Sequence, residues 1–192
     1  MSSKDSIKAL TFDTGGTILD WHSGFSKGFE KIKNNYKFNY TVAEFANLMR
    51  RKSLELVTNQ NQNSLINFDT AHQQAVKEIF KENKLEISDE ELYDLHYLAP
   101  AQLKAWPDFL EPFNYMKKNF FCISFTLLSN RLVYINSKSN QIYWDLVLSC
   151  ETLEVYKPNI EAYKKTANLL QLKPEECMMV ACHSFDLNAA QK

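Results

Sequence analysis

Residues 106–192 alternate between strand-like and helix-like segments, and this alternation restricts the fold more than any other feature of the chain. Short apolar runs recur at FFCISFTLL, WDLVLS and CMMVAC, and segments with helical spacing separate them. The run IKALTF at 7–12 ends at a turn signal and predicts one more buried strand. Because strands joined by helical crossovers lie parallel, the sequence predicts an α/β protein with a parallel sheet.

A helical block interrupts this pattern from Trp21 to about Tyr97. Its apolar residues follow helical spacing, and no run within it is convincing as a strand. Helix starts are predicted at Thr41 and Ser88, where TVAE and SDEE match the capping-box pattern, and at Asp69. We therefore expect a helical insertion between the first predicted strand and the remaining ones.

Composition argues against two classes of partner. The formal net charge is −1 and the arginines are limited to Arg50, Arg51 and Arg131, so no basic stripe is available for nucleic-acid phosphates. No apolar run approaches the roughly 20 residues that span a bilayer, and MSSKDSIKAL lacks the apolar centre of a secretory signal. We expect a cytoplasmic protein that binds neither nucleic acid nor membrane.

The cysteines and most of the histidines carry no recognisable site pattern. The four cysteines show no CxxC spacing, and Cys122 and Cys177 open apolar runs, as buried small residues often do. We interpret the cysteines as reduced core thiols rather than as disulfide or metal ligands. We interpret His22, His72 and His96 as structural or surface residues.

Polar residues follow the predicted strands, at the sheet edge where ligands of parallel sheets collect. These residues are Asp13, Ser129, Asn130, Lys157, His183 and Asp186. Ordinary structural roles remain as alternatives: Ser129 and Asn130 can cap a helix, and Lys157 can lie in a solvated turn. Asp186 can also be an N-cap. Their shared position at four strand ends favours a common site.

The chain resembles a known family at several motifs in order. FDTGGT, LLSN, YKP and the Asp186 region are similar to the four motifs of the haloacid dehalogenase superfamily. DWHSG, the WPD turn and SCETLEVYKP resemble its type II subgroup, the L-2-haloacid dehalogenases. The resemblance covers nearly the whole chain. It implies a doubly wound, Rossmann-like parallel sheet in residues 1–17 and 100–192, with a helical cap inserted at 18–99.

The same resemblance makes Asp13 the nucleophile. Gly15 and Gly16 then permit the backbone angles and the close approach of a tight turn, and Thr17 hydrogen-bonds the nucleophile region. A carboxylate is a weak nucleophile unless it is oriented and kept ionised, and a neighbouring ammonium lowers its pKa. Lys157 is the candidate ammonium.

The resemblance also implies residues that contact the substrate. Arg50, in the predicted helix that starts near Thr41, resembles the halide-facing arginine of the dehalogenases. A solvated helix face is the alternative, and Arg51 competes for the role. Ser129, Asn130 and Tyr163, which lies six residues after Lys157, are the other expected substrate-binding residues, and the substrate is a small molecule.

Glycine at position 15 favours halide displacement over phosphate-ester hydrolysis. Phosphatases of the superfamily carry a second aspartate at this position, which protonates the leaving alcohol, whereas a halide leaves without a proton. They also hold magnesium with closely spaced acids at the fourth motif, where this chain offers Asp186 alone. We therefore predict a site without metal or other cofactor, with Mg²⁺ required only if the protein is a phosphatase.

The chain departs from the subgroup at three positions. Ala181 and His183 occupy positions where the L-2-haloacid dehalogenases typically have serine and asparagine, and the aromatic residue two positions after the nucleophile is absent. His183 could orient or deprotonate the water that hydrolyses the ester, since histidine titrates near neutral pH. The alternative is a histidine satisfied by a core hydrogen bond.

The sequence thus predicts a hydrolytic dehalogenase of short 2-halo carboxylic acids that works through an aspartyl ester, with Asp13, Lys157, Asp186 and His183 as catalytic residues. A magnesium-dependent phosphatase and a non-catalytic binding protein on the same scaffold are the alternatives, and a homodimer is left open. DLNAAQK begins a helix where the family continues into another strand and helix. We therefore expect a shortened form with an uncovered sheet edge.

Overall fold

A computed structural model describes residues 6–61 and 63–192. The chain divides into two compact units. The first, which we call the core unit, runs to Leu19 and resumes at Ala105–Lys192. The second, the helical unit, is Asp20–Lys104.

The strands of the described residues pair into a four-stranded sheet and a short two-stranded one. They are β1 (Ala9–Phe12), β2 (Leu19–Asp20), β3 (Lys104–Ala105), β4 (Phe121–Thr126), β5 (Leu146–Ser149) and β6 (Cys177–Val180). The larger sheet has the order β5-β4-β1-β6, and its pairings are parallel. The strands β2 and β3 form the smaller sheet. The predicted parallel α/β core is confirmed.

The α-helices of the described residues follow the predicted alternation. They are α1 (Trp21–Ile32), α2 (Val42–Thr58), α3 (Phe68–Glu82), α4 (Asp89–Tyr93), α5 (Leu110–Met116), α6 (Asn130–Ser139), α7 (Cys150–Leu153), α8 (Ile160–Leu169) and α9 (Ser184–Ala190). A π-helix at Asp94–Leu98 and 3₁₀ turns at Lys33–Asn35, Pro100–Gln102 and Pro174–Glu176 complete the regular structure. Helices α5 to α9 belong to the core unit and flank its sheet.

Apolar side chains of the central strands form the interior of the core unit. Ala9, Ile123 and Leu148 come from three neighbouring strands and form one buried cluster. Phe12 makes edge-to-face contacts with Phe113, at a centroid distance of 5.8 Å. Because both faces of a parallel sheet are covered, its strands are expected to be buried throughout, as the four residues of β1 are. This packing fixes the strand ends from which the polar residues project.

The helical unit is held together by its helix faces. Helices α2 and α3 pack against each other, and Phe29 stacks on Phe45 at 3.8 Å. A Cβ added at Gly28 would lie 2.6 Å from the Ala99 side chain, so the glycine permits close approach of the two segments. Thr41 forms the predicted capping box with Glu44.

Some sequence expectations need correction. Helix α3 begins after Asn67, whose side chain accepts the Thr70 N–H, so the predicted start at Asp69 is two residues late. The four cysteines are free thiols, as predicted, but only Cys122 and Cys150 are buried, Cys177 is half-buried, and Cys182 is exposed. Within residues 6–61 and 63–192, no helix is long and apolar enough to cross a membrane.

Candidate active site

The ammonium of Lys157 links the ends of three chain segments in the core unit. Its Nζ lies 3.1 Å from Oδ1 of Asp13 and 2.6 Å from Oδ2 of Asp186. It donates a third hydrogen bond, of 2.9 Å, to the Phe125 carbonyl. Lys157 and Asp186 are fully buried and Asp13 is 6% exposed. The three hydrogen bonds offset the cost of removing the ammonium from water, and they use all three of its N–H groups.

The second oxygen of Asp13 faces two other donors. Thr17 Oγ1 donates to Oδ2 at 2.8 Å, and the Nδ1 of His183 lies 3.2 Å from the same oxygen. The backbone N–H of Cys182 in turn donates to Thr17 Oγ1 at 3.0 Å. The carboxylate is therefore oriented from both sides, by Lys157 on one oxygen and by Thr17 with His183 on the other.

The surroundings of Asp13 keep it ionised. Burial alone would raise its pKa, but the Lys157 ammonium and the hydrogen bonds from His183 and Thr17 outweigh burial and hold the pKa well below the usual carboxyl range. Burial likewise opposes the charge on Lys157, and the carboxylates of Asp13 and Asp186 raise its pKa above the ordinary value. Both groups are charged in the folded protein at neutral pH.

The turn after Asp13 is shaped by its two glycines, though not equally. Gly16 has φ +95°, a left-handed conformation that a residue with a side chain seldom adopts. Gly15 is buried, has no positive φ, and forms a bridge with Leu19, so the expectation of an unusual backbone angle is wrong for Gly15. The Thr14 carbonyl accepts the N–H groups of Ile18 and Leu19, which closes the turn.

A family model described as haloacid dehalogenase-like hydrolase matches residues 7–181. The chain belongs to this family of hydrolases. Among curated proteins, (S)-2-haloacid dehalogenase 4A of Burkholderia cepacia is 25% identical over 194 residues, which cover 98% of this chain and 80% of that enzyme.

Solved structures of haloacid dehalogenases share the fold. The defluorinating L-2-haloacid dehalogenase Rha0230 is 25% identical, with a TM-score of 0.86 over 96% of this chain and 77% of that one. The L-2-haloacid dehalogenase of Xanthobacter autotrophicus is 20% identical, with a TM-score of 0.84 over 96% of this chain and 74% of that one. These likenesses confirm the Rossmann-like α/β architecture predicted from the sequence.

In this haloacid dehalogenase-like hydrolase, Tyr163 contacts Asp186. Its hydroxyl donates to Asp186 Oδ1 at 2.6 Å, while the other carboxylate oxygen binds Lys157. Asp186 lies in the first turn of α9, and the N-cap of that helix is His183. The alternative interpretation of Asp186 as an N-cap is therefore wrong. The contact makes Tyr163 a positioning residue for Asp186, and its predicted role in substrate binding stays a prediction.

Ser129 and Asn130 are engaged in local structure. Ser129 is the N-cap of α6, and its Oγ accepts the Leu132 N–H at 3.1 Å, which is the structural alternative considered for it. The Asn130 side chain donates to Glu151 at 2.9 Å and accepts a hydrogen bond of 2.6 Å from Thr152. The structure gives neither side chain a hydrogen bond to Asp13, and their binding of substrate stays a prediction.

Arg50 lies in the helical unit, half-buried on α2. Its guanidinium carbon is 5.5 Å from the ring centroids of both Trp21 and Phe68, so two aromatic rings hold it by cation–π contacts. Burial lowers the pKa of the adjacent His72 to about 3, with Arg50 contributing, so His72 is neutral and structural. Arg51 is exposed. The predicted contact of Arg50 with halide stays a prediction.

Backbone groups complete the site, and sequence reasoning did not identify them. The Phe125 carbonyl receives Lys157, and the Cys182 N–H orients Thr17. Every residue except proline has both groups, so only strand pairing indicates which of them face the site. Among the described residues, no three His, Cys, Asp or Glu side chains are arranged to hold a metal ion.

Proposed function

We propose that this hydrolase is a dehalogenase that acts on short 2-halo carboxylic acids through an aspartyl ester. The observation that carries the proposal is the Asp13 carboxylate, which is buried, ionised and oriented from both sides, with glycine at position 15. A carboxylate held in this way is an activated nucleophile. The likeness to the (S)-2-haloacid dehalogenase of Burkholderia cepacia supports the same substrate class.

In the first step, one oxygen of Asp13 attacks C2 of the halo acid. A carbon–oxygen bond forms, the carbon–halogen bond breaks, and halide leaves with the bonding electron pair. No proton is needed, because halide is a weak base, and this agrees with the lack of an acid at Gly15. Lys157 keeps the carboxylate ionised before the attack and stays within reach of its Oδ1.

In the second step, water attacks the ester carbonyl of Asp13, and a bond forms between the water oxygen and the carbonyl carbon. The bond between that carbon and the ester oxygen then breaks, so the 2-hydroxy acid leaves and the Asp13 carboxylate is restored. During the attack, one carboxylate oxygen is the ester oxygen and the other the carbonyl oxygen, so negative charge develops close to the donors that already bind the carboxylate. Those donors are Lys157 on one oxygen and Thr17 on the other. Preorganised donors of this kind stabilise a developing oxyanion. His183 lies 3.2 Å from Asp13 Oδ2 through its Nδ1, so the other ring nitrogen, Nε2, is the one that would take the proton of the water and pass it to the leaving 2-hydroxy acid.

We expect the wild-type protein to release chloride from 2-chloropropionate and to do so after exhaustive chelation. The reason is that the ammonium of Lys157 is the cation that pairs with both Asp13 and Asp186. Chloride release is measured with and without EDTA, and phosphate release from p-nitrophenyl phosphate is measured with and without Mg²⁺. The Asp13→Asn variant, purified in the same way, sets the background.

Each outcome of this assay selects one function. Chloride release that survives EDTA supports the dehalogenase. Phosphate release that requires Mg²⁺ would make the protein a phosphatase of the same family. If neither product rises above the background, a binding protein on this scaffold becomes the better model.

The alkylation of Asp13 should be independent of pH between about pH 5 and 9. Despite burial, Lys157 holds the pKa of Asp13 below its usual range, and the pKa of Lys157 is raised, so neither charge changes within that window. The measurement is the rate of ester formation in a single turnover, followed by intact mass after acid quench. A rate that declines as pH falls toward about 5 would show that Asp13 titrates like an ordinary carboxyl group.

A further inference from the structure

Two buried hydroxyl groups form a short hydrogen bond directly beside the nucleophile. The Oγ1 atoms of Thr14 and Thr126 are 2.6 Å apart, and the two residues are 2% and 1% exposed. Burying a hydroxyl group costs free energy unless it finds a partner, and these two satisfy each other. A pair of apolar side chains would fill the same space without that requirement, so the pair calls for an explanation beyond packing.

The position of the pair in the sheet suggests the explanation. Strands β1 and β4 are parallel, with Phe12 opposite Ser124. Continuing this register by one residue places Asp13 beside Phe125, and by two residues it places Thr14 beside Thr126. Hydrogen bonds between threonine side chains stabilise neighbouring strands in antiparallel sheets, and here the same contact joins the ends of two parallel strands. The hydrogen bond between the two hydroxyl groups therefore extends the pairing of β1 and β4 beyond Phe12 and Ser124.

Each threonine follows a residue that binds or is bound by Lys157. Asp13, which precedes Thr14, receives Lys157 Nζ at 3.1 Å through Oδ1. The carbonyl of Phe125, which precedes Thr126, receives the same Nζ at 2.9 Å. The hydroxyl pair thus joins the segment that carries Asp13 to the segment whose Phe125 carbonyl binds the ammonium. It lies one residue after Asp13 and one residue after Phe125.

Each threonine also forms hydrogen bonds with a neighbouring loop or turn. The Thr14 carbonyl accepts the N–H groups of Ile18 and Leu19, each at 2.9 Å. Thr126 Oγ1 accepts the N–H of Leu128 at 3.1 Å. A shift of either hydroxyl group would therefore move the turn after Asp13 or the loop after β4, so the pair couples the two segments.

We propose that the Thr14–Thr126 hydroxyl pair is a positioning element that sets the separation between the nucleophilic carboxylate of Asp13 and the ammonium of Lys157. This inference rests on the proposed function insofar as Asp13 is the group that becomes alkylated. The pair touches no substrate and acts through the two chain segments. Its loss should affect the rate of ester formation more than the binding of the halo acid.

The test compares hydroxyl-free and hydroxyl-retaining variants. Thr14→Val, Thr126→Val and the double variant remove the bond with little change in shape, and Thr14→Ser keeps it. Thr166→Val is the matched control, because Thr166 is a buried threonine whose hydroxyl group donates within its own helix, to the Ala162 carbonyl. For each variant we would measure the single-turnover alkylation of Asp13 by 2-chloropropionate, the melting temperature, and the Asp13 Oδ1 to Lys157 Nζ distance in a crystal structure.

We expect about a tenfold slower alkylation in Thr14→Val and in Thr126→Val, since small misplacements of reacting groups are costly in rate. The double variant should be no slower than the singles, because coupled residues are not additive. Thr14→Ser and Thr166→Val should stay within about twofold of wild type. The carboxylate–ammonium distance should lengthen only in Thr14→Val, Thr126→Val and the double variant.

Other results would overturn the inference. Valine variants that melt earlier but keep the alkylation rate, or that lose rate with an unchanged carboxylate–ammonium distance, would make the pair a packing feature only. If the wild-type protein is not alkylated at all, the proposed function fails, and the distances measured in the crystal structures alone then decide the positioning role.

Discussion

The Asp13→Asn variant is expected to lose halide release by on the order of 10⁶-fold, the scale seen when the nucleophile of a hydrolase is removed. The amide retains the size and the hydrogen-bonding oxygen of the side chain but lacks the charge with which the carboxylate attacks. Chloride release from 2-chloropropionate measures the effect. The melting temperature should stay within a few degrees of wild type if the fold is preserved.

A matched control and an isotope experiment sharpen this prediction. Asp145→Asn changes another core-unit aspartate, one that accepts the Cys122 N–H and pairs with Lys117, and it should leave turnover unchanged. In a single turnover of wild type in ¹⁸O water, the label should enter Asp13 rather than the product, because water attacks the ester carbonyl. Labelled product with unlabelled Asp13 would mean that water displaces halide directly.

The His183→Asn variant is expected to slow ester hydrolysis by about 10²-fold, the scale expected when a positioned base is removed. His183 lies against Asp13 Oδ2 and is half-buried, so water can reach the imidazole while the ring remains held in the site. Because alkylation requires a carboxylate and no base, that step should be little affected. The alkylated enzyme should therefore accumulate and be visible by intact mass.

One outcome would contradict this role of His183. If His183→Asn keeps full turnover and no alkylated enzyme accumulates, the histidine only bonds Asp13, and Asp186 becomes the next candidate for activating water.

Most of the core unit could be predicted from its sequence because its strands are short, apolar and punctuated by polar residues. Strand ends were less predictable: FFCISFTLL suggests a strand through Leu128, whereas β4 ends at Thr126. Ladder pairing decides where a strand ends, and this depends on neighbours far along the chain. At the start of α3, Asn67 and Asp69 are equally good N-caps by type, so the local sequence could not choose between them.

For the candidate site, the sequence identified the residues that meet but not all of their contacts. Asp13, Lys157 and Asp186 were predicted to share one sheet edge, and the structure places them within hydrogen-bonding distance. The contact of Asn130 with Glu151 could not be foreseen, because the partner lies 21 residues away on another segment. Neither could the paired hydroxyl groups of Thr14 and Thr126, since each looks ordinary by itself.

The parallel pairing of β1 with β4 and β6 also determines where the residues after these strands lie. Phe12 lies opposite Ser124 on one side and Val180 on the other, so these pairs fix the position of Asp13, the next residue. Adding or deleting one residue inside a strand would displace the following side chains by about 3.3 Å and turn them to the opposite face. Exchanges of side chains that keep the lengths of β1, β4 and β6 should therefore preserve the site, whereas a change of one residue in the length of any of these strands should disrupt it.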